Sequence, residues 1–201
     1  MSKTLIAVVT CHQFRDRADA QRATWVPLVT DADVRFFVGF EHKAQRPDEV
    51  VLQTWDCYER LPHKVQAMCR WALANNYSQL FKCDDDVYIW PSRLLAAAPK
   101  TLDYVGRVND LSRTRFCSGF GYWLSRRAIE IIANAATPDD YAEDRWVGKT
   151  LIQAGIRPAN DSRYVYANTK KRLPVLGSDV VALAELSPER MKELHADKTR
   201  H

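Results

Sequence analysis

The sequence predicts an α/β protein whose mostly parallel sheet carries helices on both faces. The chain opens with an unbroken β-branched apolar run at residues 5–10 (LIAVVT), typical of a strand that is buried on both faces. Short strand-like segments then alternate with segments of helical period, the pattern of a parallel sheet with crossover helices. The chain has 201 residues, of which 46% are hydrophobic and 27% charged, as in one ordinary globular domain. We therefore expect a single domain over residues 1–201 that ends in a short charged helix.

Further strands and helices are predicted along the rest of the chain. Residues 34–38 and 50–52 are further strand candidates, and a helix is expected between the first two strands at residues 18–28, closed at or soon after Pro27. From Pro62 the apolar residues follow a helical spacing that ends at residues 75–76. A strand at residues 79–83 leads directly into three aspartates. Later helices are expected from Ser125 to Asn134, from Asp139 to Gly155, and from Ser187 onward.

Charge and composition exclude several functional classes. The net charge is +4 and no run of five or six like charges is present, which suits an anionic small molecule and argues against a nucleic-acid binder. No apolar stretch approaches the ~18 residues of a membrane span, and the first apolar run is too short for a signal peptide. We therefore expect no transmembrane segment and a cytoplasmic location. The five cysteines include no CxxC pair and are expected to be small buried thiols, and the five histidines have no zinc-ligand spacing.

The first candidate site is the triplet Asp84, Asp85 and Asp86 at the end of a predicted strand. Side chains at i and i+2 of an extended chain point the same way, so Asp84 and Asp86 can face one cation while Asp85 points elsewhere. Carboxylate oxygens suit Mg²⁺ or Mn²⁺, and ligands of open α/β sheets gather at the carboxyl ends of strands. The alternative is a solvated acidic turn. The apolar flanks LFKC and VYIW favour a strand end that faces a buried layer.

Two further segments leave a structural and a functional interpretation open. Gly119 and Gly121 flank one aromatic residue in a strand-like run, which indicates either a bulge or a backbone that something approaches closely. Glu143 and Asp144 begin a predicted helix, where acidic side chains are common because the helix dipole stabilises them. A carboxylate that is held ionised and faces a cleft can instead act as a general base.

Taken in order, these segments resemble glycosyltransferase family 31, the β-1,3-galactosyltransferase and β-1,3-N-acetylglucosaminyltransferase family to which the Fringe proteins are related. Five blocks carry the resemblance: residues 22–25 (RATW) with 36–39 (FFVG), the DxYxxLxxK pattern of residues 56–64 with the later Trp71, 82–89 (KCDDDVYI), 116–125 (FCSGFGYWLS), and 143–148 (EDRWVG). Two positions depart from the family pattern. Arg145 replaces an apolar residue, and the bulky Phe120 stands between the two glycines.

The resemblance implies a Rossmann-like GT-A fold, a UDP-sugar donor, a divalent metal such as Mn²⁺ or Mg²⁺, and inversion at the anomeric carbon. Asp84 and Asp86 would hold the metal, Asp85 would belong to the same nucleotide-sugar site, and Asp144 would be the catalytic base. Arg22, Lys64 and Lys82 would contact the phosphates or the nucleotide. Gly119 and Gly121 would let the backbone approach the sugars. Some family members use a C-terminal histidine as a further metal ligand, for which His195 is the candidate.

The expected activity is therefore transfer of galactose or an N-acetylhexosamine from a UDP-sugar to a glycan hydroxyl, in a β-1,3-like linkage. A metal-dependent nucleotide phosphohydrolase that uses the same aspartates is a second possibility. A degenerate member that binds glycan or nucleotide without turnover is the third.

Overall fold

The computed structural model of the chain describes residues 3–40, 46–110, 114–167 and 176–198. Ten strands lie in two sheets: β1 Thr4–Val9, β2 Asp33–Gly39, β3 Glu49–Leu52, β4 Gln79–Asp84, β5 Tyr88–Ile89, β6 Tyr104–Asn109, β7 Phe116–Ser125, β8 Ala159–Asn160, β9 Tyr164–Tyr166 and β10 Ala182–Ala184. The larger sheet has the order β3-β2-β1-β4-β7-β6-β8, and the smaller one the order β5-β10-β9. In the larger sheet only β7 runs against the others. The mostly parallel sheet is therefore confirmed, and it is compatible with a Rossmann-like fold.

Six helices cover this sheet: α1 Arg15–Ala23, α2 Leu61–Ala74, α3 Pro91–Ala96, α4 Arg126–Asn134, α5 Glu143–Gln153 and α6 Pro188–Lys198. Because successive side chains of a strand point to opposite faces, β1 contributes to two separate cores. Ile6 and Val8 join the core that includes residues of α1, α3 and α6. Leu5 and Ala7 join the core formed with α2, α4 and α5. Helices therefore lie on both faces, as the sequence predicts.

Two helix boundaries differ from the prediction. The helix expected at residues 18–28 is α1, which begins at Arg15, ends at Ala23 and is followed by a short 3₁₀ turn at Val26–Leu28. The Thr24 hydroxyl bonds to the Ala20 carbonyl oxygen at 2.7 Å, and Pro27 has no N–H to donate to the Ala23 carbonyl oxygen, so the α-helix ends before it. The helix expected from Asp139 begins at Glu143 instead. Asp140 binds the Ala142 N–H and the Arg145 guanidinium, so this acidic residue precedes the helix and holds its start.

The cysteine prediction holds for three of the five residues. Cys69, Cys83 and Cys117 are buried, Cys11 is half-buried, and all five are free thiols. The prediction is wrong for Cys57, which is exposed because it precedes a short 3₁₀ turn at the surface. None of the helices in the described ranges is long and apolar enough to cross a membrane.

Candidate active site

The aspartate triplet lies at the carboxyl end of β4, near the middle of the larger sheet. Asp85 turns inward, where it accepts a hydrogen bond from the Thr10 hydroxyl at 2.8 Å and lies 3.5 Å from the Arg17 guanidinium. Its side chain is only 7% exposed, whereas those of Asp84 and Asp86 are 39% and 28% exposed. Asp84 and Asp86 are therefore the accessible pair, as predicted, although only Asp84 belongs to the strand, and Asp85 and Asp86 lie in the turn that follows it rather than in an extended chain.

The triplet concentrates negative charge. Burial raises the pKa of Asp85 to about 6, with a smaller contribution from Asp84. Burial also raises the pKa of Asp86 to about 7, and both neighbouring carboxylates add to that rise. The neighbouring carboxylates thus oppose the ionisation of Asp85 and Asp86. A cation bound here would relieve that repulsion, so the charge pattern and the hard oxygen donors both fit a divalent metal.

A buried lysine joins the triplet to the neighbouring elements. Lys82 donates to Asp84 Oδ1 at 2.6 Å, to Glu143 Oε2 at 3.2 Å, and to the Gly119 carbonyl oxygen. Burial by itself would lower the pKa of Lys82, but the carboxylates of Asp84 and Glu143 raise it overall. One ammonium group therefore links β4, β7 and α5 directly beneath the cleft.

The start of α5 carries two carboxylates in different environments. Glu143 is buried, accepts a hydrogen bond from the Tyr122 hydroxyl, and has a pKa raised by burial to about 7 despite the nearby Lys82. Asp144 is half-buried. Its Oδ2 accepts the Gly119 N–H at 3.2 Å and its Oδ1 accepts the Arg145 N–H at 2.8 Å. These two bonds fix the orientation of Asp144, while each oxygen keeps a second lone pair for a ligand.

Gly119 is the point where β7 and α5 meet. A Cβ atom at this position would lie 3.2 Å from Glu143 Oε2 and 3.6 Å from Asp144 Oδ2. The glycine thus allows α5 to bring its carboxylates up to the strand. At residue 121 a glycine is needed for a different reason, because a Cβ there would lie 3.0 Å from Phe81 Cζ in the core. The two glycines therefore serve internal packing on opposite sides of β7.

A cleft of about 290 Å³ opens above these groups. Its walls bring together Lys82, Asp84, Asp86, Gly119 and Asp144 of the predicted site. The remaining lining residues are Tyr58, Leu61, Phe120, Glu143, Tyr166, Ala184 and Glu185. Five carboxylates and one lysine thus surround one cavity, which favours a cation over an unaccompanied anion.

The remaining predicted residues do not line this cleft. Lys64 is buried beneath it, paired with Asp56 and donating to the Thr10 carbonyl oxygen at the end of β1. Arg22 is engaged by carboxylates on the far side of α1, at 2.9 Å from Asp48 and 3.3 Å from Glu49. Asp85 and Gly121 face the interior, as described above.

His195 lies apart from the lining residues. It contacts the Tyr88 hydroxyl at 3.0 Å and is half-buried, rather than fully exposed on the charged C-terminal helix. Among the described residues, no group of three His, Cys, Asp or Glu side chains is arranged to chelate a metal. Two carboxylates remain sufficient for Mg²⁺ or Mn²⁺, which complete their shells with water and phosphate oxygens.

Several lining residues were not predicted as site residues. Tyr166 is the last residue of β9. Ala184 ends β10 and Glu185 follows it, and β10 is too short to show a periodic pattern in the sequence. Glu185 has a φ of 65°, uncommon for a residue with a side chain and frequent at ligand sites. Arg17 of α1 lies 3.8 Å from Asp86, but it belongs to no recognisable sequence motif. No local sequence signal distinguishes these positions.

The sequence matches no protein-family model and no curated protein. Its function is therefore inferred from the residues that meet in the cleft and from the order of the motifs that supply them.

Proposed function

We propose that this chain is a metal-dependent inverting glycosyltransferase with a GT-A type fold. It would transfer galactose or an N-acetylhexosamine from a UDP-sugar to a glycan hydroxyl. One observation carries the proposal: a pair of accessible carboxylates at the end of β4 and a separate, oriented carboxylate on α5 line the same cleft. Inverting transfer requires these two functions, one at the leaving diphosphate and one at the attacking hydroxyl. The order of the motifs along the chain supports the same reaction.

Asp84 and Asp86 are the residues that would hold Mn²⁺ or Mg²⁺. A metal bound there supplies Lewis-acid neutralisation of the charge that develops on the departing UDP. The acidic character of the cleft supports this assignment, since five carboxylates would repel a diphosphate that arrived without a cation.

Asp144 is proposed as the general base. The hydroxyl of the acceptor attacks the anomeric carbon, the bond from that carbon to the UDP oxygen breaks, and Asp144 accepts the hydroxyl proton. The bonds from the Gly119 and Arg145 N–H groups orient the carboxylate in the first turn of α5. Attack from the face opposite UDP gives inversion.

Lys82 is proposed as a positioning residue rather than a donor contact. Its three donors are engaged by Asp84, Gly119 and Glu143, and its side chain is 3% exposed. It therefore holds the metal carboxylate and the base-bearing helix at a constant separation.

The test is UDP release in the presence of Mn²⁺, with a panel of UDP-sugars, with and without acceptor saccharides. Asp86→Asn is expected to lose metal-dependent UDP binding. Asp144→Asn is expected to bind UDP normally and to turn over about 10²–10⁴-fold more slowly. Asp139→Asn is the matched control, because Asp139 is 71% exposed and lies outside the cleft.

Each alternative gives its own result. Cleavage of the donor to UMP and sugar 1-phosphate without an acceptor would indicate a phosphohydrolase, and UDP binding without any turnover would indicate a binding module. Full activity of Asp144→Asn would refute the assignment of the base.

A further inference from the structure

Two exposed tyrosines lie side by side, and one of them lines the cleft. The Tyr58 and Tyr141 side chains are 61% and 58% exposed, and their ring centroids lie 6.3 Å apart at an interplanar angle of 49°. Tyr58 is itself part of the cleft wall. Large apolar groups left in water beside a cavity mark a ligand-binding surface. We call this pair the aromatic shelf.

Tyr141 is held in position by its neighbours. The Arg145 guanidinium lies over the Tyr141 ring at 5.4 Å and makes two bonds of 2.6 Å to Asp140. Asp140 also accepts the Ala142 N–H at 3.0 Å. The backbone on both sides of Tyr141 is therefore fixed, so a ligand that stacks on the ring does not have to order it first.

The shelf is continuous with the proposed catalytic group. Tyr141 lies three residues before Asp144, and Tyr58 shares a cleft wall with Asp144. A molecule that rests on the shelf would thus border the cleft that Asp144 lines, which the attacking hydroxyl must reach.

We propose that the aromatic shelf of Tyr58 and Tyr141 binds the acceptor saccharide by stacking on the apolar C–H face of a pyranose ring. The assignment rests on the proposed function, of which it names the acceptor subsite. The shelf fits a sugar because two rings offer apolar surface for its C–H face, while Arg145 and Asp140 supply polar partners for ring hydroxyls. A protein partner would need about 800 Å² of surface, far more than two rings provide.

The test measures saccharide binding directly, so that it does not depend on turnover. Lactose, N-acetyllactosamine and chitobiose are titrated by saturation-transfer NMR against the full chain with UDP and Mn²⁺. Tyr58→Ala and Tyr141→Ala are each expected to weaken binding about tenfold, whereas Tyr58→Phe and Tyr141→Phe keep it, because stacking needs the ring and not the hydroxyl. Trp55→Ala is the control. Trp55 is 54% exposed and packs on Phe40 away from the lining residues.

The outcomes separate this inference from the proposed function. Saccharide binding that depends on both tyrosines, with no UDP release from any donor, supports the shelf and refutes glycosyl transfer. Transfer with an unchanged acceptor affinity in both alanine variants refutes the shelf and keeps the enzyme. If the wild-type protein binds none of the three saccharides, the shelf is not an acceptor subsite. The same follows if Trp55→Ala loses as much saccharide affinity as the tyrosine variants.

Discussion

Replacing Lys82 by methionine is expected to destabilise the fold by about 3–5 kcal/mol, the usual cost of removing one partner of a buried ion pair. Methionine keeps an unbranched side chain, so little packing is lost. Glu143, whose side chain is 7% exposed, loses the ammonium group 3.2 Å away. Asp84 loses a closer contact of 2.6 Å with the ammonium group, but its side chain is 39% exposed, so water can replace part of that interaction. At about 2–4 °C per kcal/mol for a domain of this size, the melting temperature should fall by about 6–20 °C.

The stability lost in the Lys82→Met variant should depend on pH, because Glu143 titrates. Burial raises the pKa of Glu143 from 4.5 to about 7, and Lys82 works against that rise. Without Lys82 the pKa rises further, so the folded variant retains a proton that the unfolded chain releases above pH 4.5. A group with a raised folded pKa contributes stability at low pH that is lost as the pH increases. The Lys82→Met variant should therefore be closer to the wild type at pH 5 than at pH 8.

Urea unfolding followed by circular dichroism, in EDTA at both pH values, measures this difference. Lys149→Met is the matched control, because Lys149 pairs with Asp139 at 3.3 Å and both side chains are exposed. Such a surface pair contributes at most about 1 kcal/mol. If Lys82→Met loses no more stability than Lys149→Met at pH 8, Lys82 does not hold the site together as described.

Three further predictions concern the scaffold. Gly148→Ala should destabilise by about 1–3 kcal/mol, because the new Cβ would lie 2.5 Å from Phe116 Cβ; an unchanged thermal melt would contradict this packing. Ser125→Ala should cost about 1 kcal/mol in the same assay, since the Ser125 hydroxyl accepts the Ala128 N–H at 3.2 Å and caps α4. Thiol labelling of the native protein should modify Cys57 first, and the buried thiols only after unfolding, because burial raises their pKa values and blocks access. Equal labelling rates for all five cysteines would refute the assigned burial.

Local patterns were sufficient for β1, β4 and several helix ends, whereas α3 and β6 were not predicted. The apolar run at residues 5–10 and the strand at residues 79–83 correspond to β1 and β4 within one residue. Ser125 and Gly155 mark the ends of α4 and α5 as predicted, because a capping hydroxyl and a residue with φ of +80° act within one turn of helix. Strands of two or three residues, such as β5 and β10, escaped prediction because they are too short for a periodic signal and depend on their pairing partners.

The basic residues show why local patterns are insufficient for the site. Arg22, Lys64 and Lys82 all suited a phosphate contact by charge and motif. In the structure each has carboxylate partners within the protein, and only Lys82 borders the cleft. Whether a charge is available to a ligand depends on which distant residues surround it, and the local sequence does not contain that information.

The α/β alternation, the order of the main elements and the strand that ends at the aspartate triplet could therefore be predicted from local patterns alone. These follow from periodicities of two and 3.6 residues, which are local properties of the backbone. Only the tertiary structure brought Asp144 to the Gly119 N–H across 25 residues, and Glu143 to Lys82 across 61. Those contacts arise because β7 inserts antiparallel beside β4 and places Gly119 under the first turn of α5, a long-range pairing that no local pattern encodes.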